Sequence, residues 1–255
     1  MQSWVDGQPA SALASLKDRG LAYGDGLFET IAVKAGTPLL LELHLQRLAL
    51  GCSRLAIVAD QALIRSELLA YAHAMGEGVL KLILTRGDSQ RGYGISPGAM
   101  PRRILQASPA AAWPEANALH GITLFDCATR LAEQPLLAGL KHLNRLEQVI
   151  ARSEWQDPAC AEGLMRDTSG RVIEGVFSNL FIVRDGVLLT ADLRRCGVAG
   201  VMRAALLAEA GRLGIPCHVT DISLAQLQQA DELFLCNSVY GIWPVRAFAD
   251  LSWPV

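Results

Sequence analysis

The chain has 255 residues, of which 51% are hydrophobic and 19% are charged, and its formal net charge is −2 at pH 7. This length allows one large domain or two small ones with a sizeable core. Acidic and basic residues are mixed along the chain, which argues against a nucleic-acid-binding face and an acidic tail, so no nucleic-acid partner is expected.

The N-terminus and the cysteines point to a cytoplasmic protein that does not act at a membrane. Residues 1–7 lack the charged-then-apolar pattern of a signal peptide, and no apolar run is long enough to span a bilayer. The six cysteines form no C-x-x-C pair and are typical of reduced core thiols. No histidine pair has metal-ligand spacing, so no metal is expected. Since phosphate-loop, dinucleotide and protease motifs are also missing, any difficult chemistry points to an organic cofactor.

Strands and helices alternate in the first half of the chain. Three glycines, Gly20, Gly24 and Gly26, suggest tight turns before a strand. Asp60 is expected to cap the second helix. The predicted elements are a short strand and turn at 4–7, a strand at 27–34, helices at 41–55 and 60–75, and strands at 79–86 and 103–107.

Two arginine-containing segments in this half of the chain each have two interpretations. Arg47 lies on an apolar helix face. It is either a surface residue whose aliphatic part is buried, or a residue whose guanidinium binds a phosphate. Residues 86–98 form a basic, glycine-rich loop that is either solvated or a receptor for a carboxylated substrate.

The second half follows a proline-containing, non-periodic segment that we take as a linker at 109–118. The chain then divides into domains 1–108 and 119–255, and its fold class is α+β. The predicted elements are strands at 122–128, 161–166, 171–183 and 187–190, a helix through Arg212 stopped by Gly214, a capping box at Ser223 and a buried strand at 232–238.

Lys141 is the first candidate for chemistry. It precedes a helical pattern in which Leu143, Leu146, Val149 and Ile150 share one face. An amine in apolar surroundings has a lowered pKa and can form a Schiff base as a neutral nucleophile. Taken alone, the same pattern also fits a surface lysine beside a helix.

Glu174 and the segment Gly200, Val201 and Met202 complete a possible cofactor site. Free N–H groups at a helix start bind anions such as phosphate, although most helix starts bind nothing. Glu174 lies on an otherwise apolar strand, so its carboxylate must be paired or exposed. In a site that holds an aromatic nitrogen, this carboxylate could keep the nitrogen protonated. A lysine, a carboxylate and a helix start are together what pyridoxal 5'-phosphate requires.

The motifs of the chain resemble those of fold-type IV pyridoxal-phosphate enzymes, and most closely those of the aminodeoxychorismate lyases. The most diagnostic match is Lys-His-Leu-Asn-Arg-Leu at 141–146. Five further segments match the family in their order along the chain and in their spacing. They are Tyr-Gly-Asp-Gly-Leu-Phe-Glu-Thr at 23–30, His-Leu-Gln-Arg-Leu at 44–48, Glu-Gly-Val-Phe-Ser-Asn-Leu-Phe at 174–181, Gly-Val-Met-Arg at 200–203 and the segment 237–245.

The resemblance implies a smaller N-terminal α/β domain, a larger C-terminal domain, the cofactor in the cleft between them, and a homodimer. It implies that Lys141 carries the cofactor, that Glu174 pairs with the ring nitrogen, and that the phosphate is bound by Arg47, Gly200, Val201, Met202 and Asn237 or Ser238. Many related aminotransferases have a tyrosine where this chain has Leu146, so no tyrosine contact is expected. Arg91, Tyr93 and Arg103 are the candidates for binding the substrate carboxylates.

The activity implied by the resemblance is that of a carbon–oxygen lyase, which converts 4-amino-4-deoxychorismate to 4-aminobenzoate and pyruvate in folate biosynthesis. A D-amino-acid or branched-chain aminotransferase would share every cofactor residue and differ in the substrate pocket. A non-catalytic binding protein of the same fold is a further alternative, weakened by the joint presence of Lys141, Glu174 and Arg47.

Overall fold

The computed structural model describes residues 1–10, 15–89, 92–110 and 112–255, which form two compact units. Unit 1 comprises Met1–Ala111 and Leu140–Asn144, and unit 2 comprises Ala112–Gly139 and Arg145–Val255. The first boundary falls inside the segment assigned to the linker. The segment Leu140–Asn144 differs from the sequence-based division, which placed it with residues 119–255, because its backbone is hydrogen-bonded within unit 1.

Unit 1 is an antiparallel sheet whose strand order is β2-β1-β6-β5-β3-β4. Asp60 caps the helix Gln61–Met75 as predicted, accepting from the N–H groups of Ala62 at 2.9 Å and Leu63 at 3.0 Å. The elements are β1 Trp4–Val5, β2 Gln8–Pro9, α1 Arg19–Tyr23, β3 Gly26–Lys34, β4 Thr37–Pro38, α2 Leu41–Leu55, α3 Gln61–Met75, β5 Gly78–Thr85 and β6 Arg102–Ser108.

Side-chain alternation on β3 separates the core of unit 1 from its other face. Leu27, Glu29 and Ile31 are buried, whereas Phe28 and Thr30 between them are half-buried. Leu27 and Ile31 pack with apolar residues of α2, α3 and β5 in one cluster, which includes Leu45, Leu48, Ile64, Leu68, Leu80, Leu82 and Leu84. One local prediction is corrected here, since Gly20 lies in the short helix α1 and not in a glycine-rich turn.

Unit 2 is built on a mixed nine-stranded sheet in the order β12-β11-β10-β13-β14-β7-β8-β9, with β15 paired to β14. Because β9 also pairs with β10, the strands from β10 to β9 close into a ring. The elements are α4 Ala116–His120, β7 Ile122–Leu131, α5 Leu146–Ser153, β8 Cys160–Asp167, β9 Val172–Gly175, β10 Asn179–Arg184, β11 Val187–Ala191, α6 Val201–Leu213, β12 Cys217–Thr220, α7 Leu224–Gln228, β13 Glu232–Asn237, β14 Gly241–Phe248 and β15 Leu251–Ser252.

Two predictions about unit 2 are corrected. The apolar run at 171–183 is two strands, because a turn at 176–178 separates β9 from β10 and Gly175 donates to the carbonyl of Ser178 at 2.8 Å. The helix after Lys141 begins only at Leu146, and its apolar face is exposed at Leu146, Val149 and Ile150. The α+β fold class is confirmed.

All six cysteines are free thiols, and Cys52, Cys127, Cys196 and Cys236 are buried. Within the described ranges, no helix has the length and hydropathy needed to cross a bilayer. The same ranges contain no group of three or more histidine, cysteine, aspartate or glutamate side chains arranged to hold a metal ion.

Candidate active site

Lys141 lies in an irregular segment that is attached to β3 by backbone hydrogen bonds. The N–H of Phe28 donates to the carbonyl of Lys141 at 2.9 Å, and the N–H of Leu143 donates to the carbonyl of Gly26 at 3.0 Å. The Nζ atom of Lys141 lies 4.2 Å from the centroid of the Phe28 ring. The lysine is therefore fixed by the strand and not by a helix start, which corrects the local structure expected from its periodicity.

Gly24 and Gly26, just before and at the start of β3, make room for this segment. A Cβ atom on Gly26 would lie 2.4 Å from the carbonyl oxygen of Leu84 and 2.8 Å from the side chain of Leu143. A Cβ atom on Gly24, whose φ is +64°, would lie 2.6 Å from Oδ1 of Asn144. Since no real side chain tolerates such approaches, the glycine-rich motif is explained by its contact with the Lys141 segment.

Arg47 belongs to a buried charge cluster on the helix-covered face of the same strand. Glu29, which is 2% exposed, accepts from Nε of Arg47 at 2.8 Å and lies 2.6 Å from Nδ1 of His44. Burial opposes ionisation of Glu29, but the Arg47 charge and the bonds from His44 and Arg47 outweigh it and lower the carboxyl pKa. The phosphate role of Arg47 stays a prediction.

Glu174 is buried on β9, and its carboxylate is oriented by donors from two other segments. Its Oε2 atom accepts from the N–H of Val198 at 2.9 Å and from Nδ2 of Asn179 at 3.3 Å. Asn179 also donates to the carbonyl of Val198 at 2.9 Å and accepts from the N–H of Gly200 at 3.0 Å. Asn179 therefore connects Glu174 to the start of α6, a role that the sequence analysis missed.

The start of α6 has the form of an anion site. Gly200 occupies the N-cap position, and no side chain caps this helix. A Cβ atom on Gly200 would lie 2.0 Å from Oδ1 of Asn179, so only glycine fits beside the asparagine. The N–H groups at the first turn, including those of Val201 and Met202, are of the kind that bind phosphate. A buried, oriented carboxylate near a glycine-capped helix start fits the ring nitrogen and the phosphate of pyridoxal phosphate.

Asn237 stabilises its own turn through Oδ1 and is bonded to the turn at 176–178 through Nδ2. Its Oδ1 atom accepts from the N–H groups of Val239 and Tyr240, each at 2.9 Å, and its Nδ2 donates to the carbonyl of Phe177 at 3.3 Å. Ser238 lies in the same turn. The contribution of Asn237 or Ser238 to phosphate binding stays a prediction.

The three expected substrate-binding residues differ in what the structure shows of them. Arg91 lies outside the described residues. Tyr93 is exposed, and its ring centroid is 5.3 Å from that of Tyr23. Arg103 donates to both carboxylate oxygens of Glu67, at 2.8 and 3.1 Å, so this guanidinium already has a carboxylate partner in the protein. The substrate role of Arg103 stays a prediction.

Arg86, at the start of the basic loop, and Arg19 have structural roles that the sequence pattern did not indicate. Arg86 is buried and donates to Asp25 and to the carbonyls of Leu55 and Ala56 at the end of α2. Arg19 is also buried and donates to Asp25 at 2.7 Å. Arg19 additionally donates to the carbonyls of Gly92, Tyr93 and Gly94, which fixes this part of the loop.

Comparisons with known proteins identify the family. Residues 26–248 match the class IV amino-transferase family. An aminodeoxychorismate lyase from Vibrio harveyi is 36% identical over 96% of this chain and 91% of that protein. A putative branched-chain-amino-acid aminotransferase from Methanocaldococcus jannaschii is 29% identical over 92% of this chain and 82% of that protein.

A solved structure extends this similarity over nearly the whole fold. The 4-amino-4-deoxychorismate lyase from Pseudomonas aeruginosa is 63% identical, covers 99% of this chain and 93% of its own, and superposes with a TM-score of 0.98. The resemblance to fold-type IV enzymes that the motifs suggested is confirmed. The chain belongs to the class IV amino-transferase family.

Proposed function

We propose that the protein is a pyridoxal-phosphate-dependent lyase that converts 4-amino-4-deoxychorismate to 4-aminobenzoate and pyruvate in folate biosynthesis. The observation that carries the proposal is the arrangement of Glu174, Asn179 and Gly200, in which one asparagine orients a buried carboxylate and accepts from the N-cap of α6. The 63% identity to the Pseudomonas aeruginosa lyase supports this activity over that of the aminotransferases in the family.

In this proposal, the cofactor residues hold three parts of pyridoxal phosphate, which are its aldehyde carbon, its ring nitrogen and its phosphate. When bound, the group would supply an electron sink for the carbon that carries the substrate amine. Lys141 would carry the cofactor covalently, Glu174 would accept the ring N–H, and the first turn of α6 would bind the phosphate. Arg47, with Asn237 or Ser238, would add phosphate contacts. The placement of the cofactor in a cleft between the domains stays a prediction.

Lys141 would also move the protons of the reaction. Once the substrate amine has displaced it, its neutral amine would accept the proton from the amine-bearing carbon. The neighbouring C–O bond then breaks and the enolpyruvyl group leaves with its electron pair. The resulting aromatic ring makes the step strongly favourable. The protonated Lys141 would return its proton to the enolpyruvate carbon, which yields pyruvate.

The substrate is a dicarboxylate, and the basic loop is the segment proposed to bind it. Arg91 and Tyr93 keep their proposed roles in carboxylate binding. Arg19 supports this assignment, because its bonds to three successive carbonyls hold residues 92–94 in a defined conformation.

The protein is proposed to act as a cytoplasmic homodimer. Leu146, Val149 and Ile150 expose 74%, 62% and 55% of their surface on one face of α5. A helix face of this kind is normally covered by another apolar surface, which a second copy of the chain would supply. The oligomeric state can be measured directly by sedimentation.

An assay with 4-amino-4-deoxychorismate that detects 4-aminobenzoate tests the proposed activity. The wild-type protein should turn over the substrate, and Lys141→Ala should lose turnover by several orders of magnitude. Lys34→Ala removes an exposed lysine of the same unit and should behave as wild type. A wild-type protein that binds pyridoxal phosphate but leaves this substrate unchanged would contradict the proposal and favour the aminotransferase alternative.

A further inference from the structure

Glu162 is a fully buried carboxyl group that the proposed mechanism does not use. It lies on β8 and accepts four hydrogen bonds. Its Oε1 atom accepts from the N–H of Gly163 at 2.9 Å and of Val176 at 3.1 Å. Its Oε2 atom accepts from the N–H of Phe177 at 3.3 Å and from Oγ of Ser178 at 2.8 Å. Three of the four donors therefore belong to the turn at 176–178.

This turn joins the two residues that orient the proposed cofactor site. Glu174 lies on β9, one residue before the strand ends, and Asn179 is the first residue of β10. A Cβ atom on Gly175 would lie 3.0 Å from the Glu162 carboxyl and 2.2 Å from Oγ of Ser178. The glycine thus allows the carboxyl to approach the turn closely, and a shift of the turn would move both Glu174 and Asn179.

The same turn contacts the other proposed cofactor segment of unit 2. The carbonyl of Phe177 accepts from Nδ2 of Asn237, and the rings of Phe177 and Tyr240 meet edge to face with centroids 6.4 Å apart. Tyr240 is in turn stacked on Trp243, with ring centroids 3.7 Å apart. Glu162 therefore supports a turn to which both the Glu174 strand and the Asn237 segment are connected.

A buried carboxyl without a cation is costly unless its hydrogen bonds are satisfied. In the described part of the chain, Glu162 has no salt bridge among its contacts, so the four donors are its compensation. A leucine or methionine at this position would fill the core without burying a carboxyl group. The contacts of the carboxyl with the turn distinguish it from an ordinary core residue.

We propose that Glu162 is a positioning residue that sets the geometry of Glu174 and Asn179 by holding the turn at 176–178, and so determines the affinity for pyridoxal phosphate. The inference rests on the proposed function, in which those two residues form part of the cofactor site. Glu162 itself does not touch the cofactor in this proposal.

The ionisation of the Glu162 carboxyl provides a second readout, which is the dependence of cofactor binding on pH. Burial raises its pKa to about 7, against the opposing bonds from Gly163, Ser178, Phe177 and Val176. Only the hydroxyl of Ser178 can reverse to accept the proton of a neutral carboxyl, since the other three donors are N–H groups. The titratable neighbours of Glu162 stay neutral near pH 7, because burial raises the pKa of Cys127 to about 12 and that of Tyr240 well above its usual value.

The test measures pyridoxal phosphate binding to full-length protein freed of cofactor, by absorbance and visible circular dichroism, for wild type and three variants. Glu162→Ala removes all four acceptor contacts and should weaken binding at least tenfold. Glu162→Gln keeps one acceptor oxygen and should weaken it less, with a flatter dependence on pH between 6 and 8. Ser178→Ala removes a single donor and should have the smallest effect.

Cys127→Ala is the matched control, because its Sγ lies beside Gly163 in the same core but makes no bond to the turn. It should lower the melting temperature without changing cofactor affinity. Affinities within twofold of wild type in both Glu162 variants, or an equal loss in Cys127→Ala, would overturn the inference. If Glu162→Ala does not fold, affinities within twofold of wild type in both Glu162→Gln and Ser178→Ala would overturn the inference. A wild-type protein that fails to bind the cofactor would instead overturn the proposed function and this inference with it.

Discussion

Asn179 lies directly across the β9–β10 pair from Glu174 and donates to its Oε2 atom at 3.3 Å. The opposite end of the same amide accepts from the N–H of Gly200 at 3.0 Å. One side chain thus sets the distance between a buried carboxylate and the start of α6. For a ligand with a ring nitrogen and a phosphate, such a fixed distance reduces the cost of ordering the site on binding.

Gly200→Ala is expected to disturb this arrangement directly. The new Cβ would lie 2.0 Å from Oδ1 of Asn179, so either the amide or the helix start must shift. We expect loss of most of the affinity for pyridoxal phosphate, measured by titration of protein freed of cofactor. Gly211→Ala is the matched control, because it lies in the same helix with no atom within 4 Å of the added Cβ. It should retain binding and gain up to about 1 kcal/mol in unfolding free energy.

Covalent attachment of the cofactor should occur at Lys141 and at no other lysine. Reduction with borohydride followed by peptide mapping will show which lysine carries the label. Lys81 is the most informative competitor, since its Nζ lies 5.5 Å from the Phe28 ring that Lys141 approaches to 4.2 Å. A label on Lys81 would show that the lysine assignment is wrong even if the cofactor binds.

The buried carboxylate of Glu29 should make stability depend on acid pH. Its pKa is below the usual value in the folded state, so its contribution is present above about pH 4.5 and is lost as the pH falls through the lower, folded value. Between pH 7 and pH 3, wild type should therefore lose more unfolding free energy than Glu29→Gln does. At pH 7 the variant should be the less stable protein, because Arg47 loses its buried partner.

Glu42→Gln is the control for this acid dependence. Glu42 lies on the same helix as Arg47 and is paired with Arg65, but both side chains are exposed and water screens their interaction. Its unfolding free energy, measured by denaturant titration, should follow wild type across the pH range. Identical acid profiles for wild type and Glu29→Gln would mean that Glu29 does not contribute in this way.

Local signals explain which elements could be predicted from sequence. The helix Leu41–Leu55 was predicted from its periodicity, and Asp60 marked the start of the next helix. The strand β14 was missed, because Pro244 within it removes a ladder donor and is atypical of a strand between two others. Periodicity identified the apolar face of α5 but not its exposure, because periodicity does not reveal what covers a face.

Candidate site residues were selected where a residue type is itself unusual in its surroundings, and residues whose role depends on tertiary partners were overlooked. Lys141 and Glu174 were selected as charges in apolar runs. Asn179 was passed over, since its partners at 198 and 200 lie far along the chain. The ion pair of Arg103 was not foreseen for the same reason, because its partner Glu67 lies on a separate helix.

The reaction itself distinguishes a lyase from an aminotransferase of the same family. An aminotransferase keeps the amino group on the cofactor after the first product leaves and needs a second keto acid to complete the cycle. A lyase returns the amino group with its aromatic product and needs no co-substrate. We therefore expect 4-aminobenzoate and pyruvate in equal amounts from 4-amino-4-deoxychorismate without added keto acid, measured by chromatography of the products. Exchange between D-alanine or leucine and 2-oxoglutarate should be at least a hundredfold slower. Sustained exchange at enzyme-like rates, with no 4-aminobenzoate formed, would identify the protein as an aminotransferase.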